Sequence, residues 1–561
     1  MKLLFDDILY LDYTKRRIVQ YRNAVMKEMN AMNAANNQNR NLPAGIQDFE
    51  KLRELQYVYV DKTEYVYKLV KSSIPFFLSR PRRFGKSLLL STLKAYWEGK
   101  KELFRGLAIE QLEKDNPDAW VPYPVFYFDL NGKDYTKENA MEDVLSEYLI
   151  QWEKQYHCES VELSLEGRFA NLLINAHKQT GRRCVVLVDE YDKPLLDLID
   201  NSELQERNKS LFKGFFGNLK SCDAHIRFVF ITGVTKFHKI SIFSDLNQLF
   251  DISINEDYAA ICGITEEELR NNFMPEIKKL AEKQKIDEEL CLKRLKMQYD
   301  GYLFHQDGQG VYNPYSLLKA FFAKEFGAYW FETGTPTFLV KKLRAMDFDI
   351  RKFADKTLYA SSNMLKDYSA DNPDPIPLLY QTGYLTIVEY DPSGREYTLA
   401  FPNNEVKYGF LESLMPEYIS DCGSGSGIDI FTLRRYIVRG ELESVKNVLI
   451  AIFARITYTT KDDPFEHYFQ TVIYLIFTLL GQFAECEMHT FIGRIDCKVE
   501  TDKFIYLFEF KRDKTADEAL NQIEDKSYTL PFAADHRKVY KIGVSFDAEK
   551  RMLSDWKVIE E

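Results

Sequence analysis

Two strings in this sequence set cationic and acidic side chains at spacings suited to a phosphate chain. RPRRFGKS (80–87) lies between a short apolar run, IPFFLS (74–79), and SLLLSTLKAYW, whose Leu89, Leu90, Leu93, Tyr96 and Trp97 share one helical face. A loop that leaves a strand and opens a helix turns backbone N–H groups toward phosphate, and the helix dipole adds to the attraction. Lys86 is then placed to reach the β- and γ-phosphates, Ser87 to hold magnesium, and Gly85 to let the backbone approach closely. Arg80, Arg82, Arg83 and Phe84 complete the loop. Arg80 stands where the general GxxxxGK[ST] pattern has glycine, so the loop alone reads equally as a basic turn capping a helix. Three crowded arginines repel one another unless an anion balances them, which favours a polyanionic ligand.

The second string is VVLVDE (185–190), an apolar strand that ends in two carboxylates. A buried strand would deliver Asp189 to the edge of a sheet where the loop also lies. Asp189 is expected to bind magnesium through water, and Glu190 to orient or deprotonate the attacking water. Either string alone has a plain structural explanation; the two in order point to a site for ATP or GTP with Mg2+. IRFVFITG (226–233) places Thr232 at its polar end, either sensing the γ-phosphate or capping the turn before Gly233.

A separate acidic cluster is spaced across two strands. GRID (493–496) carries Asp496, and FEFK (508–511) carries Glu509 and Lys511. Residues two apart on a strand share a face, so Glu509 and Lys511 project together while Phe510 faces the core. If Asp496 ends the neighbouring strand, the two carboxylates could hold a hard divalent cation and Lys511 could position or help deprotonate water. The plainer alternative is a cross-strand salt bridge. Carboxylates on a strand as apolar as YLFEF argue against it, because burying them unpaired is costly. The following ALNQIEDKSY sets Gln522 and Lys526 at i and i+4, on one polar face toward that cluster.

The elements that must position these residues follow from periodicity. Residues 43–255 alternate apolar strands (IPFFLS, VFYFDL, CVVLVDE, IRFVFITG) with helices. Strands too apolar to have a wet face imply a parallel sheet covered by helices. Residues 256–421 read as mainly helical with a hairpin, GYLTIVEY–DPSG–REYTLAF, suggesting a winged-helix-like lid. CGSGSG (422–427) reads as a flexible linker, and 428–561 as a compact α/β module. Residues 1–42, ending Asn-rich, read as a helix and connector.

Composition narrows the partners. The net charge of −11 excludes a global basic field, so nucleic acid would need a local patch such as Arg494, Lys498, Lys503, Lys511, Arg512 and Lys514. An ordinary solvated face explains about half of these equally well. Eight scattered cysteines without a CxxC pair fit reduced thiols in the cytoplasm rather than a zinc ribbon. The longest apolar stretch (471–480) is too short for a bilayer, and the first residues have no signal-peptide pattern, so no membrane role is expected.

GIQDFEKLRELQYVYVDKTEYV (45–66), FFLSRPRRFGKSLLLSTL (76–93), VDEYDKPLL (188–196), ITGVTKF (231–237), YDGYLF (299–304), VYNPYSLL (311–318) and GTPTFLV (334–340) together resemble the predicted AAA-ATPase-like family. Its members commonly end in a PD-(D/E)xK nuclease-superfamily domain, and its loop reads RPRRFGK. The resemblance implies an α/β fold: a P-loop NTPase parallel sheet, a helical lid and a C-terminal restriction-endonuclease-like domain. It implies ATP and Mg2+ as ligands, Glu466 on the leading helix as support for the C-terminal site, nucleic acid (DNA first) as partner, and a homo-oligomer. It also suggests an adenine-side or structural contact for Asp61, Lys62 and Thr63, and a lid role for Tyr299, Asp300 and Gly301. Three functions stay open: an ATP-controlled, metal-dependent nuclease compatible with defence or mobile-element biology, a non-cleaving ATP-dependent switch that binds nucleic acid or protein, and a signalling ATPase with no nucleic-acid role.

Overall fold

The computed structural model describes residues 40–158, 164–198, 200–236, 249–331, 339–340, 343, 348–353, 358–366, 374–419, 430–454, 465–481, 484–489, 494–547, 549–550 and 552–560. The N-terminal segment read as helix and connector (up to residue 39) and the CGSGSG linker lie outside these residues.

Five parallel strands form the first sheet: β1 (Phe76–Ser79), β2 (Val125–Asp129), β3 (Cys184–Asp189), β4 (Ile226–Gly233) and β5 (Phe250–Asp251), in the order β2-β3-β4-β1-β5. Helices α1 (Phe49–Glu54), α2 (Thr63–Lys71), α3 (Lys86–Trp97), α4 (Ala108–Leu112), α5 (Ala140–Gln155), α6 (Leu165–Thr180), α7 (Lys193–Leu196) and α8 (Ser202–Ser221) accompany it. Every residue of β3 is buried, as its unbroken apolar run requires. VFYFDL behaves differently from its apolar reading: β2 is an edge strand, so Val125 and Tyr127 are half-buried and Asp129 is exposed. Apolar content alone cannot separate an edge strand with one covered face from a central one.

The next segment contains the two-stranded β6 (Ile264–Thr265) and β7 (Val311–Tyr312), with α9 (Glu266–Gln284), α10 (Glu288–Tyr299) and α11 (Pro314–Ala323) around a second apolar cluster. Thr265 starts α9 with a complete capping box to Glu268. The expected hairpin forms as β9 (Thr386–Asp391) and β10 (Glu396–Ala400). An additional strand, β8 (Leu358–Ser361), completes an antiparallel sheet, β8-β10-β9. Helices α12 (Ser362–Lys366), α13 (Ile376–Thr382) and α14 (Asn404–Tyr418) flank it.

The C-terminal part has α15 (Ile430–Arg439), α16 (Leu442–Phe453) and α17 (Phe465–Leu479) before a mixed sheet, β11 (Ala484–His489), β12 (Arg494–Glu500), β13 (Phe504–Arg512), β14 (Lys538–Asp547) and β15 (Met552–Glu560), in sequential order. Only β13 and β14 pair in parallel, and α18 (Ala516–Asp525) makes that crossover. No helix among the described residues is long and apolar enough to cross a membrane.

The YDGYLF string is structural. Tyr299 donates its hydroxyl hydrogen to the Gly327 carbonyl at 3.0 Å, and Gly301 (φ +96°) sits so close to Pro402 that a Cβ would lie 2.0 Å from its carbonyl oxygen. Gly301→Ala combines a left-handed backbone, worth about 1–3 kcal/mol, with this clash, and is expected to lower the thermal midpoint measurably. An unchanged midpoint by calorimetry would contradict that packing.

Candidate functional site

The strand order brings the two strings together. Gly85 caps α3 with φ +94°, a conformation that favours glycine, and no atom lies within 4 Å of where its Cβ would be. Lys86, in the first turn of α3, is buried; its ammonium donates to the carbonyls of Arg80 (2.9 Å) and Pro81 (3.1 Å). Burial pulls this lysine below its ordinary pKa, opposed by the negative charges of Glu190, Asp189 and Asp192. Burial also pushes the Glu190 carboxyl up, with Lys86 pulling the other way. Glu190 occupies the left-handed region at φ +50°, uncommon for a glutamate and a form of strain that gathers at functional sites.

Arg82, Arg83, Gly85, Lys86, Ser87 and Glu190 line one cleft of about 310 Å³. The Arg83 guanidinium lies 4.9 Å from the centre of the Tyr315 ring. Asp189 stands behind Glu190. Its Oδ1 accepts from the Thr232 hydroxyl (2.7 Å) and the Glu190 N–H (3.1 Å), and its Oδ2 accepts from the Tyr127 hydroxyl (3.4 Å). Thr232 therefore bonds the acidic strand directly. A smaller apolar cavity of about 90 Å³ adjoins the cleft; both touch Pro43, Gly85, Leu88, Pro314 and Leu318. Its walls can take a planar base next to the triphosphate.

Two loop residues are not brought to the cleft. Arg80 is turned inward: its guanidinium donates to the carbonyls of Ser79 (2.9 Å), Ser253 (2.8 Å) and Tyr258 (3.1 Å) and lies 3.9 Å from the centre of the Phe304 ring. Phe84 is buried edge-on against Tyr302 and Phe304 and borders the apolar cavity. Asp61 and Thr63 are tied up internally, whereas Lys62 bridges the Ala260 carbonyl and the Glu268 carboxylate and also borders the apolar cavity.

Sequence reasoning passed over Asp192. It is fully enclosed and accepts from the N–H groups of Val234 and Thr235 and the Thr235 hydroxyl (2.8 Å), while Tyr191 donates to the Thr235 carbonyl. The paired strings VDEYD and TGVTK were the available signal, since their polar residues extend past both strand ends.

In the C-terminal sheet, Cys497 pairs with Phe508, and continuing that antiparallel register sets Asp496 across from Glu509. Asp496 Oδ2 accepts from the Phe510 N–H at 2.8 Å. Lys511 Nζ donates to Glu509 Oε1 at 2.9 Å, so the two residues do share a face. Glu509 is buried and its Oε2 has no hydrogen-bond partner. Burial, and then the charge of Asp496, push its carboxyl up to about 7; burial raises Asp496 as well. A buried carboxylate oxygen without a donor beside a second carboxylate fits a hard cation. Asp496 and Glu509 are the carboxylates that could hold it.

Gln522 lies toward this site by way of Tyr528, a residue sequence reasoning missed. The Tyr528 hydroxyl donates to the Arg494 carbonyl (2.7 Å), lies near Gln522, and feels the charges of both carboxylates. Lys526 is not brought there; it caps α18 and is exposed. Glu466 belongs to α17, but its side chain lies outside the described residues. Of the basic candidates, Lys498, Arg512 and Lys514 each pair with a carboxylate.

A parallel sheet with a phosphate loop facing an Asp-Glu strand end, joined to a mixed α/β module with an Asp–Glu–Lys cluster, defines a nucleotide-binding protein with a nuclease-like module. Comparisons agree. The family model described as predicted AAA-ATPase matches residues 43–243, and that of the PD-(D/E)XK nuclease superfamily matches residues 464–556. An uncharacterized protein in the vnfD 5′ region of Azotobacter chroococcum mcd 1 is 35% identical over 530 residues, which cover 92% of this chain and 98% of that protein. The Aeropyrum pernix ORC2 protein, solved in ADPNP–ADP complexes, is similar at 11% identity and a TM-score of 0.24 over 67% of this chain and 97% of that one, too low to carry an argument. The chain belongs to the predicted AAA-ATPase family, with a C-terminal PD-(D/E)XK nuclease-superfamily domain.

The raised Glu509 value gives a pH test. Its folded pKa lies above the ordinary 4.5, so its contribution to stability is complete below that value and is lost as pH rises through about 7. Binding of a divalent cation requires the ionised form. Without nucleotide, Mn2+ or Mg2+ is expected to raise the thermal midpoint more at pH 8 than at pH 6, and Glu509→Gln is expected to abolish that difference. A metal-induced shift equal at both pH values, or retained in Glu509→Gln, would count against the site.

Proposed function

We propose that the chain binds and hydrolyses ATP at the Lys86 cleft, and that nucleotide state controls a metal-dependent nuclease site at Asp496, Glu509 and Lys511 that acts on nucleic acid, DNA first. The observation that carries the ATP half is the convergence of Lys86, Ser87 and Glu190 on one cleft with Asp189 directly behind. In this reading the loop N–H groups and Lys86 hold the phosphates, Ser87 and Asp189 hold magnesium, and Glu190 orients the attacking water. Thr232 fixes the Asp189 carboxylate. The apolar cavity seats the base. Arg82 and Arg83 add positive charge at the mouth, while Arg80 and Phe84 hold the loop in shape.

At the C-terminal site, Asp496 and Glu509 would hold magnesium and Lys511 would position the attacking water. When bound, the metal activates water and offsets charge on the scissile phosphate. Among the described residues six cysteines form no disulfide, which fits a reducing cytoplasm. A setting in defence or mobile-element biology rests on the type of architecture.

Contacts support coupling between the two sites. The Trp330 indole N–H donates to the Arg82 carbonyl (3.3 Å), and Gly383 abuts Pro81. The Lys236 N–H donates to Gln381 on α13 (3.0 Å), next to the strand end that holds Asp189 and Asp192. Helix α14 and the short 3-10 turn Ile350–Phe353 pack on α17, which leads into the nuclease-like sheet. Movement of the phosphate loop thus has a packed route to the second site.

The test is direct. Glu190→Gln is expected to retain nucleotide binding and lose ATP turnover by about 10²-fold or more, from loss of general-base catalysis. Lys511→Ala is expected to abolish cleavage of DNA in Mg2+ or Mn2+ while leaving ATP turnover intact. Cleavage that survives Lys511→Ala would overturn the nuclease assignment. Binding of oligonucleotides with no cleavage under any nucleotide or metal condition would favour the non-cleaving switch.

A further inference from the structure

The edge of the first sheet leaves backbone groups outside its ladder. Among the described residues strand β2 pairs only with β3, and the ladder fixes which way its peptide groups face. Val185 N–H donates to the Pro124 carbonyl and Leu130 N–H to the Asp189 carbonyl, so residues 124 and 130 turn their peptide groups inward. Strand alternation then turns those of Val125, Tyr127 and Asp129 outward.

Asp129 confirms this, and its needs are already met. The Tyr148 hydroxyl on α5 accepts from the Asp129 N–H at 3.1 Å and donates to its carbonyl at 3.0 Å, standing in for a partner strand. Val125 and Tyr127 open instead onto a cleft of about 340 Å³ between α3 and α5. Tyr123, Tyr148, Trp152 and Tyr156 form aromatic walls, with Gln151 and Gln155 supplying amides. Tyr148 and Trp152 are stacked, with centroids 5.3 Å apart.

The cleft does not suit a nucleic-acid strand. Lys94 is paired with Glu98 at 3.2 Å and Lys100 with the same carboxylate at 3.1 Å, while the exposed Arg182 lies 5.8 Å from the centre of the Tyr123 ring; one such cation does not make the basic track that a nucleic-acid backbone needs. Outward N–H and C=O groups at alternate residues match one chemistry closely: the backbone of an extended, uncharged polypeptide segment. Tyrosine and tryptophan walls then accept its apolar side chains.

We propose that the β2 edge docks a short extended segment of a partner protein, which adds to the sheet as a further strand and is read at the nucleotide site through Tyr127. The Tyr127 ring borders the cleft, and its hydroxyl reaches Asp189 Oδ2 at 3.4 Å. A strand seated beside Tyr127 constrains the ring and, through it, the carboxylate expected to hold magnesium. This second step rests on the ATP reading; the docking step does not.

The experiment pans a random linear peptide library on phage against the full chain, then measures enriched, labelled peptides by anisotropy. Val125→Pro removes an outward N–H and spares the β2–β3 ladder, a position where an edge strand tolerates proline. Enriched peptides are expected to lose about tenfold or more in affinity for Val125→Pro, with its circular dichroism unchanged. They are also expected to slow hydrogen exchange at the Val125 and Tyr127 amides. The same peptides should alter ATP turnover of the natural chain but not of Tyr127→Phe. Peptides that bind Val125→Pro equally well, or no enrichment at all, would overturn the docking site. So would protection of these amides only by single-stranded DNA, or only by self-association at high concentration. Binding without an effect on measurable turnover would overturn the link through Tyr127, whereas absence of turnover in the natural chain would fault the ATP reading instead.

Discussion

A buried lysine held by two peptide carbonyls is the contact on which the nucleotide half depends. Lys86 is 5% exposed, and removing its ammonium from water is costly unless negative charge is near. Its hydrogen-bond partners are neutral carbonyls of its own loop, and the compensating charges of Glu190, Asp189 and Asp192 act without direct contact. That arrangement makes the first turn of α3 a receptor for an anion. It also accounts for the surrounding framework: a parallel sheet brings β3 beside the loop, and Thr232 and Thr235 at the end of β4 hold the two aspartates that face it.

Much of this was legible along the chain because the chemistry was local. The loop, the Asp-Glu strand end and the alternation of Glu509 and Lys511 are each set by neighbours within a few residues, and the structure brings each group together as its spacing implied. What stayed hidden depends on contacts distant in sequence. Arg80 reads as a phosphate ligand by residue type, but Ser253 and Tyr258, more than 170 residues away, surround its guanidinium with carbonyls. Tyr127 reads as a core aromatic, and only the strand order shows its hydroxyl beside Asp189. Lys526 keeps the helical bond from its N–H to the Gln522 carbonyl, but as the cap of α18 it is exposed, and periodicity alone does not show which residues of a helical face are covered.

The C-terminal site follows the same logic with opposite charge. Two carboxylates and one lysine are enclosed on adjacent strands, and the enclosure lifts Glu509 to about 7. Lys511 neutralises one of its oxygens and leaves the other without a donor. A fold that needed only a salt bridge would gain little from burying the second carboxylate as well. Each half of the molecule thus keeps charged groups in a costly environment that a polyanion or a cation would relieve, and packed helices connect them.

The most direct measurement is calorimetric titration of the full chain with a non-hydrolysable ATP analogue and Mg2+, beside Lys86→Met. The account requires saturable binding by the natural chain and a loss of about tenfold or more for Lys86→Met, with the variant at least as stable to heat because a buried charge has been removed. Equal affinity in the two proteins would contradict it, because the anion would then be held somewhere other than the first turn of α3.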